Sequence, residues 1–188
     1  MIKKLILKIY TFLKKCINPD QRTDLERAID DGLTVGKDFK CLGGVIIDPG
    51  HASLITIGDN VTIAPNVHIL AHDASTRRAL GYTMLGKVEI GNDVFIGANS
   101  TVLLGVTIGD GSIIGANSLV SHDVPPNCVY AGNPAKMLMT TEEYYEKRRK
   151  QMEEYPVFGM EYYKDKSDEE HLKHLTEEVK KHGYGFVK

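Results

Sequence analysis

Tryptophan is absent from the 188-residue chain, and aromatic residues make up only 7% of it. A core built on large rings is therefore excluded, and the 42% apolar content rests on aliphatic side chains. Only three cysteines occur, Cys16, Cys41 and Cys128, odd in number and far apart. They exclude a disulfide framework and a CxxC metal site, and they point to a reducing, cytoplasmic setting. Lys and Arg number 23 against 25 Asp and Glu, a formal net charge of -2. With no excess of positive charge there is no broad field for nucleic acid. No uncharged apolar run reaches the ~18 residues of a transmembrane helix. The opening MIKKLILKIYTFLKKCI resembles a secretion signal, but Lys8 splits its apolar stretch, and Lys14 and Lys15 follow without a small-residue cleavage site. It reads as a retained segment.

What the chain has in quantity is glycine, 18 residues, and an internal repeat. Steps of six give Ile57, Ile63, Ile69, then Ile90, Ile96, Val102, Ile108, Ile114 and Val120. Two places before each stands a β-branched aliphatic or a serine: Ile55, Val61, Val67, Val88, Val94, Ser100, Val106, Ser112 and Ser118. Three places after, Asn, Asp or Gly recurs (Asn60, Asn66, Asp93, Asn99, Gly105, Gly111, Asn117). A period of six fits neither a helix nor an alternating hairpin meander. It fits a triangular coil whose sides are very short strands. Inward positions fill the prism with aliphatic groups, and corners take residues that tolerate positive φ. A weaker register, Val35, Cys41 and Ile47, predicts one earlier coil, followed by a four-residue slip before Ile57.

Between Ile69 and Ile90 the period breaks, and part of the segment, about 72–87, must loop out. Loops on rigid scaffolds commonly carry function, and this one holds His72, Asp73, Ser75, Arg77, Arg78 and Tyr82. Residues 1–30 read as an N-terminal helical segment. Within it Ile2, Leu5, Ile6, Ile9, Phe12, Leu13 and Ile17 fall at helical spacing among lysines. Such a basic amphipathic helix packs on protein or contacts a membrane surface peripherally through residues 1–17. Residues 31–138 form the prism, and 139–188 a helical extension. TTEEYYEKRRKQMEEY is its first helix, stopped near Pro156. SDEEHLKHLTEEVKKHG is its second, with a Ser167–Glu170 capping box and Gly183 as the stop.

Two stretches carry a family resemblance: ITIGDNVTIAPNVHILAHDAS, and VEIGNDVFIGANSTVLLGVTIGDGSIIGANSLVSHDVPPNCVYAGNPAK. With them the chain, from about residue 43 to 138, resembles the hexapeptide-repeat acyltransferases, in the galactoside, maltose and capsular-polysaccharide O-acetyltransferase branch. The resemblance implies a mainly β fold, a left-handed parallel β-helix, assembled as a homotrimer with active sites between subunits. It implies acetyl-CoA as co-substrate, no metal, and a carbohydrate acceptor. His72 matches the family's catalytic histidine. A sugar hydroxyl is a weak nucleophile, and an imidazole can take its proton as attack proceeds, worth about 10²–10⁴-fold. The backbone N–H at Ala98 matches the oxyanion donor.

On the same resemblance Ala98 and Ala116 line the pantetheine groove. Ser121 and His122 match a Thr-Lys pair that meets the cofactor, and Lys136 matches a phosphate-binding Arg. His122 in place of Lys, and Met139 where a second Arg is common, are departures that weaken nucleotide contacts. The residues that hold galactoside map to Gly44 and Ala52, which argues against a simple β-galactoside and for a surface glycan or its precursor. Asp48 and His51 are expected to line the acceptor pocket, with Asp73 and Tyr82 as further acceptor contacts. In IDPGHASLITIG, His51 also resembles the histidine of serine acetyltransferases. The alternatives are a serine O-acetyltransferase, a γ-carbonic-anhydrase-like zinc enzyme using His51, His68 and His72, and a non-catalytic scaffold.

Overall fold

A computed structural model describes residues 23–163 and 168–188, so the expected helix over residues 1–17 lies outside the described residues. The chain divides into two compact units between Leu138 and Met139.

In the first unit, hexapeptides build three stacked faces of parallel strands. Thr34–Val35, Ile55–Ile57, Val88–Ile90 and Thr107–Ile108 form the first face. Lys40–Cys41, Thr62–Ile63, Phe95–Ile96, Ile113–Ile114 and Cys128–Ala131 form the second. Ile46–Ile47, His68–Ile69, Thr101–Val102 and Leu119–Val120 form the third. The register stacks one inward residue over the next, for example Ile47, Ile69, Val102 and Val120. The weaker early register is real: Val35, Cys41 and Ile47 pair with Ile57, Ile63 and Ile69. Burial at this end pushes the Cys41 thiol pKa up.

All nine step-of-six aliphatics are at most 2% exposed. Each contributes about 1.5–3 kcal/mol by leaving water. Ser100, Ser112 and Ser118 are also inward and buried. Their hydroxyls donate to the carbonyls of Gly115, Pro125 and Gly115 at 2.7–2.9 Å, so each of the three is satisfied.

The corner positions Asn60, Asn66, Asp93, Asn99, Gly105, Gly111 and Asn117 all have positive φ. Side-chain oxygens run up one corner as a ladder. Asp59 accepts from the Lys37 N–H, Asn92 from the Asp59 N–H, and Asp110 from the Asn92 N–H, at 2.7–2.8 Å. Coils stack so closely that a Cβ on Gly97 would lie 2.5 Å from the Ala116 backbone nitrogen. Gly97→Ala is therefore expected to destabilise the protein by about 1–3 kcal/mol through overpacking, read from urea unfolding midpoints. An unchanged midpoint would mean the coils can spread.

Helix α1 (Asp24–Asp30) opens the described chain with a Thr23–Glu26 capping box. It lies against Ile46–Ile47 and the Ala52–Leu54 turn, burying Ala28. Helix α2 (Arg77–Leu80) sits in the long insertion and ends at Gly81 in the left-handed region.

The second unit contains α3 (Thr141–Glu154), capped by Thr140 and Glu143. Two Thr140 donors hold the Glu143 carboxyl below its ordinary pKa. Helix α4 (Glu169–His182) ends at Gly183, as expected, but its N-cap is Asp168 rather than Ser167. The Asp168 side chain accepts from the His171 N–H at 2.9 Å, doing from one place later what a serine hydroxyl would do. Ser167 lies outside the described residues. Val157–Phe158 pairs in parallel with Phe186–Val187, and Phe158 packs on Tyr162 and His174.

Candidate functional site

Both breaks in the hexapeptide period fall at the same corner. The four-residue slip follows Ile47 and the long insertion follows Ile69, and those two residues are paired on the third face. The Asp48 N–H donates to the Ile69 carbonyl at 2.9 Å. The corner of one coil thus sits beside that of the next, and the extra residues project from one place.

The slip folds as a one-turn 3₁₀ helix, Ala52–Leu54, with His51 before it. The insertion leaves the prism as a hairpin. His72–Asp73 pairs antiparallel with Met84–Leu85. Thr76 Oγ1 donates to the Tyr82 carbonyl at 2.8 Å and closes the arm around α2.

Where the two meet, Asp48 is fully buried. Its Oδ2 accepts the Ala71 N–H at 2.6 Å. His72 Nδ1 lies 2.7 Å from both carboxylate oxygens, so it carries the proton and donates. That tautomer leaves His72 Nε2 as a bare lone pair, on a side chain 33% exposed. The His51 ring stacks at 4.7 Å from that of His72, tilted by 35°. His51 Nδ1 lies 3.4 Å from Asp48 Oδ1 without hydrogen-bond geometry, and it is buried with no hydrogen-bond partner. Donor atoms of Asp48, His51 and His72 all lie within 4.8 Å of one another, the one such metal-competent group among the described residues. His68 is not part of it, so a three-histidine zinc site is not assembled here. A cavity of about 340 Å³ lies between Ile46–Pro49 and α1.

Asp48, expected to line an acceptor pocket, has a side chain with no exposed surface and with both oxygens engaged, and it holds the His72 imidazole. Asp73 accepts the Ser75 N–H at 2.8 Å. That bond, with a second from the Ser75 side chain, lowers its carboxyl pKa. Tyr82 is 78% exposed on the arm, with Arg77 and Arg78 exposed beside it on α2.

Ala98 and Ala116 occupy a different corner, between the second and third faces. They sit one coil apart, with the Asn117 N–H bonded to the Ala98 carbonyl at 2.9 Å. Ala98 is half-buried and Ala116 exposed, so small side chains leave a groove-like surface. Ser121 Oγ lies 3.0 Å from His122 Nδ1. His122 and Lys136 are exposed cations or cation precursors. No helix among the described residues is long and apolar enough to cross a membrane.

Comparison with known proteins matches this geometry to a family. A profile described as the hexapeptide repeat of succinyl-transferase matches residues 87–122. The chain is 40% identical to Protein CapG of Staphylococcus aureus over 148 residues, covering 76% of this chain and 81% of that one. It is 42% identical to the galactoside O-acetyltransferase of Escherichia coli over 112 residues, 56% of this chain and 53% of the enzyme. A solved hexapeptide-repeat acetyltransferase from Vibrio cholerae, complexed with acetyl coenzyme A, superposes with a TM-score of 0.53 at 35% identity. That match covers 58% of this chain and 60% of the other. From repeat, register and relatives together, the chain belongs to the hexapeptide-repeat acetyltransferases, whose prism is a left-handed parallel β-helix.

Proposed function

We propose that this acetyltransferase moves the acetyl group of acetyl-CoA to a carbohydrate hydroxyl, with His72 as the general base. The observation that supports this most is the buried Asp48 carboxylate 2.7 Å from His72 Nδ1. It fixes the tautomer whose Nε2 can accept a proton. As the acceptor oxygen bonds to the thioester carbon, Nε2 takes the hydroxyl proton. The carbon–sulfur bond then breaks, and the imidazolium returns its proton to the departing thiolate. Charge balances without an acyl-enzyme. Asp48 stabilises the transient imidazolium, as a buried carboxylate does beside a catalytic histidine.

Ala98 and Ala116 would admit the thin pantetheine arm, and Ser121, His122 and Lys136 would meet the nucleotide end. Within one chain Ala98 and Ala116 lie at a different corner of the prism from His72, whereas Ser121 and His122 follow the third face at the His72 corner. A site using both needs the His72 corner of one subunit against the Ala98 corner of another, which supports the homotrimer. Asp73 and Tyr82, on the arm, are placed to meet an acceptor.

The test is product formation from acetyl-CoA, with an oligosaccharide panel set against serine. Acetylated oligosaccharide is the expected product. Faster transfer to serine would replace the carbohydrate reading with that of a serine acetyltransferase.

A further inference from the structure

We propose that Asp48, His51 and His72 form a binding site for one zinc-class divalent ion, and that its binding switches acetyl transfer off. Its effect on rate rests on His72 acting as base; binding of the ion does not.

The geometry, the donor chemistry and the surroundings of the three residues carry the inference. Donor atoms of the three residues lie within 4.8 Å of one another. Zinc bonds of about 2.0–2.2 Å in tetrahedral geometry put neighbouring ligand atoms about 3.3–3.6 Å apart. The His51 Nδ1 to Asp48 Oδ1 separation is already 3.4 Å. His72 Nδ1, 2.7 Å from both oxygens, has only to move outward by a fraction of an ångström to admit an ion.

His51 Nδ1 is the one buried side-chain polar atom among the described residues without a hydrogen-bond partner. Such a group costs about 1–3 kcal/mol, and a coordinated cation would satisfy it. The donor set, two imidazoles and one carboxylate, is of the type taken by zinc, cobalt or nickel rather than by calcium or magnesium. Both histidine side chains are 33% exposed, so the site lies close to solvent although His51 Nδ1 itself is buried. The ligands are also fixed beforehand. Asp48 is locked by the Ala71 N–H, and His51 by the 3₁₀ turn that follows it.

Binding has a definite chemical result. The neutral ring has a single proton, which transfers through solvent from Nδ1 to Nε2 as the metal takes the Nδ1 lone pair of His72, with no net proton released. Both nitrogens are occupied, and no base is left. The ion is therefore an inhibitor and not a cofactor.

Co²⁺ serves as the visible probe, titrated into tag-free, chelator-stripped full-length protein and then displaced by Zn²⁺. One four-coordinate Co²⁺ per chain is expected. The spectrum should be lost in His51→Ala and His51→Gln and kept in His171→Ala, a histidine on exposed helix α4. Zn²⁺ should lower acetylated product formation by up to the base's contribution, about 10²–10⁴-fold, reversibly with EDTA. Absent cobalt bands, or bands that persist in both folded His51 variants, would overturn the site. Cobalt bound in these residues with full activity in Zn²⁺ would overturn the switch. Full activity of His72→Gln without metal would instead sink the general-base reading, and the spectrum would still decide the binding.

Discussion

His72→Gln is expected to lower kcat for acetyl transfer by about 10²–10⁴-fold, the usual contribution of a positioned general base. In free energy that is about 3–5 kcal/mol of transition-state stabilisation. Glutamine keeps a polar group near Asp48 but offers no basic nitrogen. KM for acetyl-CoA should change little, because Ala98 and Ala116 stand at another corner. A fall in kcat with steady KM marks an interaction made in the transition state. Steady-state release of CoA measures both constants. A variant as fast as the wild type would remove His72 from the chemistry.

Asp48→Asn should be nearly as damaging, for a reason visible in the bonding. The carboxylate accepts from two donors, the Ala71 N–H and His72 Nδ1. An amide has one oxygen and one NH₂ group. It can serve only one of those donors properly and presents its own N–H to the other. Leaving a donor unmet in a fully buried place costs about 1–3 kcal/mol of stability. If the NH₂ faces His72, the imidazole proton moves to Nε2 and the base is lost. Activity should therefore fall by an amount close to that of His72→Gln. The double variant should be little worse than either single one, since the two residues act as a unit. Additive losses would show that Asp48 and His72 work independently.

The prism was legible because its inward positions repeat in strict register, and packing demands aliphatic residues there. Even the weaker coil at Val35, Cys41 and Ile47 was readable from spacing alone. The bond between Asp48 and His72 was not foreseen, because its partners are 24 residues apart. The clue was available: Asp48 follows Ile47 and His72 lies just past Ile69, and those two stack on one face. Counting in hexapeptides would have placed the two breaks side by side. The Asp73–Met84 hairpin had no such clue, since an insertion carries no period. In the second unit the first helix showed as a charged run ending before Pro156, and the second through Gly183 and an N-terminal cap read one residue early. The Val157–Phe158 and Phe186–Val187 strands did not, because two residues are too few to alternate.

The position of both breaks at a single corner bears on how enzymes of this kind diversify. The inward ranks resume at Ile90 as if nothing had intervened, so residues can be added or removed there with no change to the aliphatic stack. Selection can rework what meets an acceptor on one flank while the interior stays under separate control. Packing of the prism leaves this corner free to vary, and on the proposed reading a graft of the arm between relatives is expected to carry acceptor preference with it.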